Sequence, residues 1–429
     1  MYREMKDSGV RWIGQIPKEW KVSSFKNIVS FIVDNRGKTP PIEDSGIPLL
    51  EIDSLRNKYP DISGVRKFLS QQTYDSFLRK YLKGGDILFA TVGAIGKTSI
   101  VPEEFNYCIA QNIVGFRINE SNDKLFWFYY MKSEAFKMTY LQFNKGNIQD
   151  SIKISNLMNG KIVQPLISEQ QKIANYLDKK VSQIDDIISK QKSLIEKYKA
   201  YKQSLITETV TKGLNKNVPM KDSGIEWIGE IPSHWEIKSM KYLCSCNDDS
   251  LTNSEDKNMC INYVDISSVT FESGIVNYEE MLFKNAPSRA RRVTQYGDII
   301  ISTVRTYLKA IAIIPDDKRY VVSTGFAVIR AKYILNRYLD YFIKSEYFIN
   351  LVSLYSKGIS YPAIDSFDLM NIKILEPSID EQEEIANFLD KKCNAINLSI
   401  TKKEQLIEKL ESYKKSLIYE CVTGKREVN

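Results

Sequence analysis

The sequence predicts an α+β fold: two tandem mixed α/β domains separated by two long antiparallel coiled-coil helices, arranged as a pseudo-twofold internal repeat. The 429-residue chain contains one opening segment twice, at residues 5–26 and 220–241, with 13 of 22 positions identical. A second segment, residues 169–180, returns at 381–392, now 212 rather than 215 residues later. A repeat of this length indicates a duplicated domain with its helix, because solenoid units span only about 20–50 residues.

The two pairs of matched segments divide the chain into four parts. We expect a first mixed domain at residues 1–165, a central helical spacer at 166–216, a second mixed domain at 217–377 and a C-terminal helical spacer at 378–429. Each mixed domain is long enough to bury a core of its own, because domains of about 150 residues bury roughly two thirds of their unfolded surface. A duplicated binding domain suits a partner that also comes in two parts.

Both helical spacers carry apolar residues at alternating spacings of four and three, which is the heptad pattern of a coiled coil. A repeat of about 3.5 residues makes two helices supercoil, and matched repeats in one chain are most simply satisfied by each other. The alternative is that each helix covers its own domain. The predicted helix–helix seam consists of Leu177, Val181, Ile184, Ile188, Ile195, Tyr198 and Leu205 in the first helix and Leu389, Ile396, Ile400, Ile407, Leu410 and Leu417 in the second.

The ends and the polar positions of the two predicted helices also correspond. Gly213 and Gly424 lie just beyond the last apolar positions, where a glycine in the left-handed conformation commonly ends a helix. Lys202 and Lys414 occupy the same polar position of the two seams. Polar residues in a seam lower stability but fix the register and orientation of the paired helices.

Inside the mixed domains, the spacing of apolar residues predicts both helices and strands. Helical spacing occurs at residues 70–82, 123–143 and 336–355, whereas short apolar runs after a glycine predict strands at 86–92 and 298–304. The aromatic residues of the second helical segment are expected in the core; they are Phe126, Trp127, Tyr129, Tyr130, Phe136 and Tyr140. The repeated tryptophans are likewise expected to be structural rather than docking residues; they are Trp12, Trp20, Trp227 and Trp235.

Composition indicates an ordinary soluble globular protein with a modest positive charge. Hydrophobic residues make up 43% and charged residues 26% of the chain, and the net charge is +7, so a polyanionic partner is allowed without being required. No apolar run approaches the roughly 18 residues that span a bilayer, and residues 1–7 contain no apolar signal segment. We therefore expect no membrane association and a cytoplasmic location.

Cysteine and histidine are too unevenly placed for a duplicated disulfide or metal framework. Cys108 stands alone in the first half of the chain, and the other five cysteines lie in the second half. Cys244, Cys246 and Cys260 lack a convincing fourth zinc ligand nearby, because the one histidine, His234, is not repeated in the first copy. We expect no metal site and reduced thiols.

One string resembles a nucleotide-binding loop, but only in part. Residues 91–98 read Thr-Val-Gly-Ala-Ile-Gly-Lys-Thr, and a phosphate-binding loop needs a glycine where Thr91 stands. The aligned residues 303–310 keep the lysine but lose the glycine and the hydroxyl. We therefore expect no catalytic residue in this chain and interpret both segments as turns that present basic side chains.

Basic and polar residues on loops that contain glycine or proline are the candidate DNA contacts. Arg, Lys, Asn and Thr side chains on loops can reach the phosphates and base edges of nucleic acids. An ordinary solvated side chain is the alternative for each of them. The candidates are Arg36, Lys38, Thr39, Lys97, Lys145, Asn147, Arg289, Arg291, Arg292, Arg305, Tyr307, Lys309 and Lys357.

Two motifs mark each half of the chain. Each half opens with Lys-Asp-Ser-Gly-x-x-Trp-Ile-Gly-x-Ile-Pro-x-x-Trp and closes with Ile-Ala-Asn, an aromatic residue and Leu-Asp-Lys-Lys. Over essentially the whole chain, this order and spacing resemble the specificity subunit of Type I restriction–modification systems. The resemblance implies that residues 1–165 and 217–377 are two target-recognition domains, each reading one half of an asymmetric bipartite DNA target, joined by conserved helical spacers that also dock partner subunits.

The same resemblance implies the partners and cofactors. Double-stranded DNA, two modification (methyltransferase) subunits and restriction (ATP-dependent translocase/nuclease) subunits are the expected partners. S-adenosylmethionine, ATP and magnesium are expected on those subunits, and no cofactor on this non-catalytic chain. Two other interpretations remain open: a nuclease or NTPase with its site in the variable domains, and a coiled-coil scaffold that does not bind DNA.

Overall fold

The computed structural model describes residues 3–37, 39–142 and 151–428, which fold into two compact units. Unit 1 consists of Met1–Gln191 and Glu404–Asn429, and unit 2 of Lys192–Lys403. Each unit therefore contains one mixed domain together with a part of each long helix. Within the described ranges, no helix is both long enough and apolar enough to cross a membrane.

Unit 1 is built on small sheets. Its strands are β1 (Met5–Asp7), β2 (Gln15–Pro17), β3 (Lys21–Ser24), β4 (Val29–Val33), β5 (Ile47–Leu50), β6 (Phe68–Leu69), β7 (Ile87–Ala90), β8 (Thr98–Ile100), β9 (Cys108–Ile109), β10 (Ile113–Ile118) and β11 (Lys161–Gln164). Its helices are α1 (Gln71–Phe77), α2 (Lys124–Lys132), α3 (Glu134–Leu141), α4 (Ile154–Met158) and the first part of α5 (Ile167–Lys212). An antiparallel sheet has the order β4-β10-β7-β8, and a smaller one the order β6-β5-β9, with β5 and β9 parallel.

Unit 2 repeats this plan. Its strands are β12 (Met220–Asp222), β13 (Glu230–Pro232), β14 (Glu236–Ser239), β15 (Cys244–Cys246), β16 (Cys260–Val264), β17 (Val269–Thr270), β18 (Gly274–Ile275), β19 (Glu279–Leu282), β20 (Ala290–Val293), β21 (Ile299–Ser302), β22 (Ile311–Ile313), β23 (Tyr320–Ser323), β24 (Phe326–Ala331) and β25 (Lys373–Glu376). Its helices are α6 (Asn336–Ile343), α7 (Glu346–Tyr355), α8 (Ser366–Asn371) and part of α9 (Ile379–Val422). Its main sheets have the orders β15-β24-β21-β22 and β19-β16-β23-β20.

The central strands β7 and β21 lie where the sequence predicts them, and each follows a buried carboxylate. Asp86 is 1% and Asp298 2% exposed. Arg117 Nε donates to Asp86 Oδ1 at 2.9 Å, and Arg330 Nε donates to Asp298 Oδ1 at 2.9 Å. Bidentate arginine–carboxylate pairs of this kind satisfy a buried charge. The same pair therefore holds the start of the central strand in both units.

The predicted helices at 123–143 and 336–355 are each broken in two. Ser133 and Ser345 adopt extended conformations and accept hydrogen bonds from the backbone N–H groups of Phe136 and Phe348, both at 3.3 Å. A serine that caps a helix in this way ends the preceding one, although its position fits a continuous helical spacing. The helix predicted at 70–82 is also shorter and ends at Phe77. The aromatic residues expected in the core are buried, as predicted.

The long helices run antiparallel within each unit. In unit 2, Lys403 Nζ lies 5.7 Å from the ring centre of Tyr198, and Lys202 Nζ donates to Asn397 Oδ1 at 2.9 Å. Residue numbers therefore rise along α5 as they fall along α9, so the antiparallel arrangement is confirmed.

Unit 1 shows the same direction of pairing. Lys414 Nζ lies 2.5 Å from Asp185 Oδ1, and Arg426, just beyond α9, hydrogen-bonds Tyr176 near the start of α5.

The predicted seam positions that the structure buries are Leu177, Val181, Ile184, Ile188, Ile195, Leu389, Ile396, Ile400, Ile407 and Leu417. The partly buried ones are Tyr198, Leu205 and Leu410.

A glycine with positive φ ends each long helix and packs on a repeated opening segment. Gly213 (φ +73°) lies against Trp235, and Gly424 (φ +74°) lies against Trp20 and Pro17. A Cβ atom on Gly424 would lie 2.3 Å from Pro17 Cδ, so no larger residue fits there. The start of the chain therefore packs on the end of α9, as the second opening segment packs on the end of α5.

Candidate nucleic-acid interface

The repeated motifs form structural contacts. Trp20 and Trp235 are fully buried, and their indole Nε1 atoms donate to Glu169 Oε2 at 2.8 Å and to Glu381 Oε2 at 2.9 Å. A buried indole N–H needs such an acceptor. In each copy, the last tryptophan of the opening segment therefore donates a hydrogen bond to the first glutamate of the closing segment. Sequence reasoning missed this pairing, although both residues recur in both copies.

The expected core role does not hold for every repeated tryptophan. Trp12 is partly buried, and its backbone carbonyl accepts a hydrogen bond from Tyr419 Oη at 3.0 Å. Trp227 is 66% exposed and borders a shallow cleft of about 200 Å³ together with Tyr347 and Leu354. The prediction of a core role is therefore wrong for Trp227.

The loop after β21 presents three of the candidate residues. Arg305 (φ 52°) and Lys309 (φ 49°) have left-handed backbones on either side of a short turn at Thr306–Leu308. Such a conformation costs a non-glycine residue about 1–2 kcal/mol, so it persists only where the surroundings impose it. Arg305, Tyr307 and Lys309 are all exposed.

A second loop packs against the first. Lys357 and Ala363 exchange two backbone hydrogen bonds, at 2.8 and 2.9 Å, and close the loop between them. Thr306 N donates to Pro362 O at 3.3 Å, which joins this loop to the turn after β21. We call residues 304–309 and 357–361 together the two-loop surface.

The two-loop surface brings four of the predicted DNA contacts together: Arg305, Tyr307, Lys309 and Lys357. The Arg305 guanidinium lies 5.0 Å from the ring centre of Tyr361, a cation–π contact that orients both side chains. Lys357 Nζ is 3.4 Å from Asp368 Oδ2, while its side chain remains 83% exposed. Within the described part of the chain, neither Arg305 nor Lys309 forms an ion pair, so both keep their charge available for a ligand.

The three arginines around β20 lie in different surroundings. The Arg289 carbonyl accepts from Thr324 N at 2.8 Å, and the Arg289 side chain is exposed. Arg291 lies 5.1 Å from the ring centre of Phe283 and donates to Asn253 at 3.0 Å. Arg292 is partly buried, which lowers its pKa, and its Nε finds no hydrogen-bond partner among the described residues.

In unit 1, two of the basic candidates are paired with carboxylates. Arg36 donates to both carboxylate oxygens of Asp34, at 2.9 and 2.8 Å, and this contact lowers the pKa of Asp34. Lys97 Nζ lies 3.3 Å from Asp53 Oδ1. Thr39 accepts from Gln111 Nε2 at 2.9 Å and is exposed. The remaining candidates, Lys38, Lys145 and Asn147, lie outside the described residues.

The string that resembles a nucleotide-binding loop does not form a phosphate cradle. Gly93 and Gly96 have positive φ angles of 70° and 88° and serve a tight turn. The Thr98 hydroxyl is buried and donates to the Gly96 carbonyl at 2.8 Å, so it is not presented to a ligand.

The described residues contain no group of three or more His, Cys, Asp and Glu side chains placed to hold a metal ion. The six cysteines are free thiols. Burial raises the pKa of Cys108, Cys244 and Cys421 to about 12, which makes these three thiols poor nucleophiles near neutral pH.

Two known structures share this fold. One, described as the structural basis of complex assembly and conformational transition of the type I R-M system, gives a TM-score of 0.72 at 15% identity and covers 96% of this chain and 99% of that one. The HsdS subunit from Thermoanaerobacter tengcongensis gives 0.52 at 16% identity and covers 96% and 98%.

Sequence comparisons point to the same family. The putative type I restriction enzyme MjaX specificity subunit of Methanocaldococcus jannaschii is 26% identical over 97% of this chain and 96% of that protein. The MjaVIII specificity subunit of the same organism is 24% identical over 96% of this chain and 94% of that protein. The model of the Type I restriction modification DNA specificity domain matches residues 17–197 and again residues 232–409. With two copies of that domain over most of its length, the chain belongs to the family of Type I restriction–modification specificity subunits.

Proposed function

We propose that this chain binds double-stranded DNA as the specificity subunit of a Type I restriction–modification complex, and that each mixed domain reads one half of an asymmetric bipartite target. The two-loop surface is the observation that carries the proposal. It combines exposed cationic groups with aromatic rings on loops, which suits contact with phosphates and base edges. The net charge of +7 is too small for binding by charge alone, so local clusters of this kind must supply the contacts.

The proposed recognition domains keep the boundaries drawn from the sequence, 1–165 and 217–377, with helical spacers at 166–216 and 378–429. The proposed DNA contacts are Arg36, Lys38, Thr39, Lys97, Lys145, Asn147, Arg289, Arg291, Arg292, Arg305, Tyr307, Lys309 and Lys357. Arg305, Tyr307, Lys309 and Lys357 have the strongest support, because they are exposed on one surface. The different side chains on the corresponding loops of the two units favour two different half-sites.

We further propose that the helices dock two modification subunits, one for each repeated helical surface. The duplication of the opening segments and helices supports two equivalent sites. The exposed Trp227 and its neighbour Leu354 form an apolar surface of the kind that protein partners cover. Restriction subunits complete the proposed complex, and chromosomal DNA as the partner makes the cytoplasm the proposed location.

Catalysis is assigned in this proposal to the partner subunits. S-adenosylmethionine, ATP and magnesium would bind there, and this chain would supply only the choice of sequence. The residues of the string that resembles a nucleotide-binding loop support this division, because Lys97 is paired with Asp53 and the Thr98 hydroxyl is turned inward.

The proposal is tested with the chain assembled with its modification subunits. Methylome sequencing of a host that carries the whole system should return one interrupted, asymmetric target. Exchanging residues 30–160 for another recognition domain should change one half of that target and leave the other unchanged. Failure of the assembled complex to bind duplex DNA would favour a DNA-independent scaffold, and cleavage or ATP hydrolysis by the isolated chain would favour an enzyme.

A further inference from the structure

The two-loop surface of unit 2 is unusual because it exposes apolar side chains between its cationic ones. Ile359 is fully exposed, and Tyr361, Tyr307 and Leu308 are 66%, 58% and 46% exposed. Single exposed apolar residues are normal, but four of them on two loops that pack against each other indicate a binding surface.

Ile359 lies at the tip of the loop that Lys357 and Ala363 close. Gly358 (φ +104°) turns the backbone immediately before it, so the isoleucine projects from a narrow loop with small neighbours. An exposed isoleucine contributes hydrophobic free energy only when a partner covers it with apolar surface. The shape of the loop favours a partner with a groove rather than a flat face.

The charges around this apolar group identify the partner. Arg305, Lys309 and Lys357 lie on the same two loops, and among the described residues only Lys357 contacts a carboxylate, with its Nζ 3.4 Å from Asp368 Oδ2. The partner must therefore be anionic at its edges and apolar within. The major groove of DNA has this character, because phosphates border it and the thymine C5-methyl is the apolar group on its floor.

We propose that the two-loop surface reads its half-site through thymine C5-methyl groups, with Ile359 and Tyr361 as the apolar contacts. This inference rests on the proposed function, DNA recognition by unit 2, and deepens it by naming the chemical group that is read. Arg305 holds Tyr361 in place through the 5.0 Å cation–π contact and remains able to bind a phosphate or a guanine edge.

The test replaces each thymine of the target duplex with deoxyuridine, one at a time, and measures the dissociation constant of the assembled complex. Deoxyuridine keeps every hydrogen-bonding group and removes only the methyl. We expect the dissociation constant to rise about fourfold at one or more thymines of a single half-site, which is the effect of losing one buried methyl group. Ile359→Ala should lose the preference for thymine over uracil at the position that Ile359 contacts, whereas a thymine contacted by Tyr361 should keep it.

Tyr333→Ala is the matched control. Tyr333 is 70% exposed and follows the C-terminal end of β24. The N-terminal end of β24 is the end near the two-loop surface, because Phe326 pairs there with Ser302. This variant should keep the full preference for thymine over uracil. Because Ile359 and Tyr333 are both exposed, thermal unfolding should show that neither substitution changes the fold.

Two results would overturn the inference while leaving the proposed function intact. They are an unchanged dissociation constant at every uracil position, and an Ile359→Ala variant that weakens binding to the thymine and uracil duplexes by the same factor. Absence of any sequence-specific binding would instead contradict the proposed function itself.

Discussion

The loops that follow β7 and β21 start from the same scaffold and differ in what they present. In both units a backbone hydrogen bond of 2.9 Å holds the threonine before the loop, from Ile152 N to Thr91 O and from Ile364 N to Thr303 O. The residues with positive φ are glycines in the loop of unit 1, whereas they are Arg305 and Lys309 in the loop of unit 2. The scaffold thus fixes where the loop lies and leaves its side chains free to vary, which is what a duplicated reader of two different half-sites requires.

The described basic candidates of the two units also differ. Arg36, on the loop after β4, and Lys97, on the loop after β7, are each paired with a carboxylate, but Arg305 and Lys309 of unit 2 have no ion pair within the described residues. An arginine already paired with a carboxylate has its charge partly compensated and two of its five N–H donors occupied, so it gains less from a phosphate or a base. Arg305 and Lys309 should therefore contribute more to DNA binding than Arg36 and Lys97.

The largest expected effect tests this difference directly. Arg305→Ala should weaken specific binding about 10- to 100-fold and relax one base position, because a well-placed arginine–guanine contact is worth about 1–3 kcal/mol. Arg36→Ala should weaken binding less than about threefold, because its guanidinium is already neutralised. Binding titrations on the target and on single-base variants measure both. Equal losses for the two variants would contradict the comparison.

A second experiment frees the arginine of unit 1. Asp34→Asn removes the charge that pairs with Arg36 but keeps an oxygen for the Arg36 backbone N–H. The freed guanidinium should add one phosphate contact, so the slope of log affinity against log salt should steepen by about 0.9. Asp61→Asn is the control, because the Asp61 carboxylate is bonded to Ser63 rather than to an arginine. A similar change of slope for both variants would assign the effect to net charge alone.

Sequence reasoning placed the repeat, the paired helices and the central strands, because each leaves a periodic or duplicated signal. It did not place the breaks at Ser133 and Ser345, since a capping serine fits helical spacing and competes with it only through a local hydrogen bond. It grouped Arg305, Tyr307 and Lys309 because they are adjacent in the chain. The Lys97–Asp53 pair joins residues 44 positions apart, so only the tertiary fold reveals that Lys97 is neutralised.

A smaller effect concerns the backbone of the unit 2 loop. Lys309→Gly should raise the free energy of unfolding by about 0.5 kcal/mol, because relief of the left-handed strain exceeds the entropy that glycine loses on folding. The same variant should weaken DNA binding, so stability and affinity should change in opposite directions. Thermal unfolding and binding titrations provide the two measurements.

Lys284→Gly is the control for that substitution. Lys284 lies in another three-residue turn of unit 2, Phe283–Asn285, and has no positive φ angle. Glycine there should lower stability by about 0.5–1 kcal/mol, because it gains no relief from strain. Destabilisation by both substitutions would show that the left-handed conformation at Lys309 stores no strain.

The smallest expected effect lies in the helices, where the two units differ by one charge. Lys414 of unit 1 faces the Asp185 carboxylate at 2.5 Å, whereas Lys202 of unit 2 faces the Asn397 amide at 2.9 Å. Burial lowers the pKa of Lys202, so holding its ammonium in the folded state opposes folding. Asn397→Asp should therefore stabilise unit 2 by about 0.5 kcal/mol, and Asp185→Asn should destabilise unit 1 by a similar amount.

The pH dependence gives the sign of that effect independently. A lysine whose pKa is lower in the folded than in the unfolded state lowers the free energy of unfolding when the pH is below the folded-state pKa. This destabilisation disappears as the pH rises from the folded-state pKa to the unfolded-state value of about 10.4. The stability of unit 2 should therefore increase with pH as the solution approaches that value. The Asn397→Asp variant should show a smaller increase, because its carboxylate stabilises the ammonium. Thermal unfolding between neutral pH and about pH 10 measures both slopes, and a steeper slope for the variant would contradict this account of Lys202.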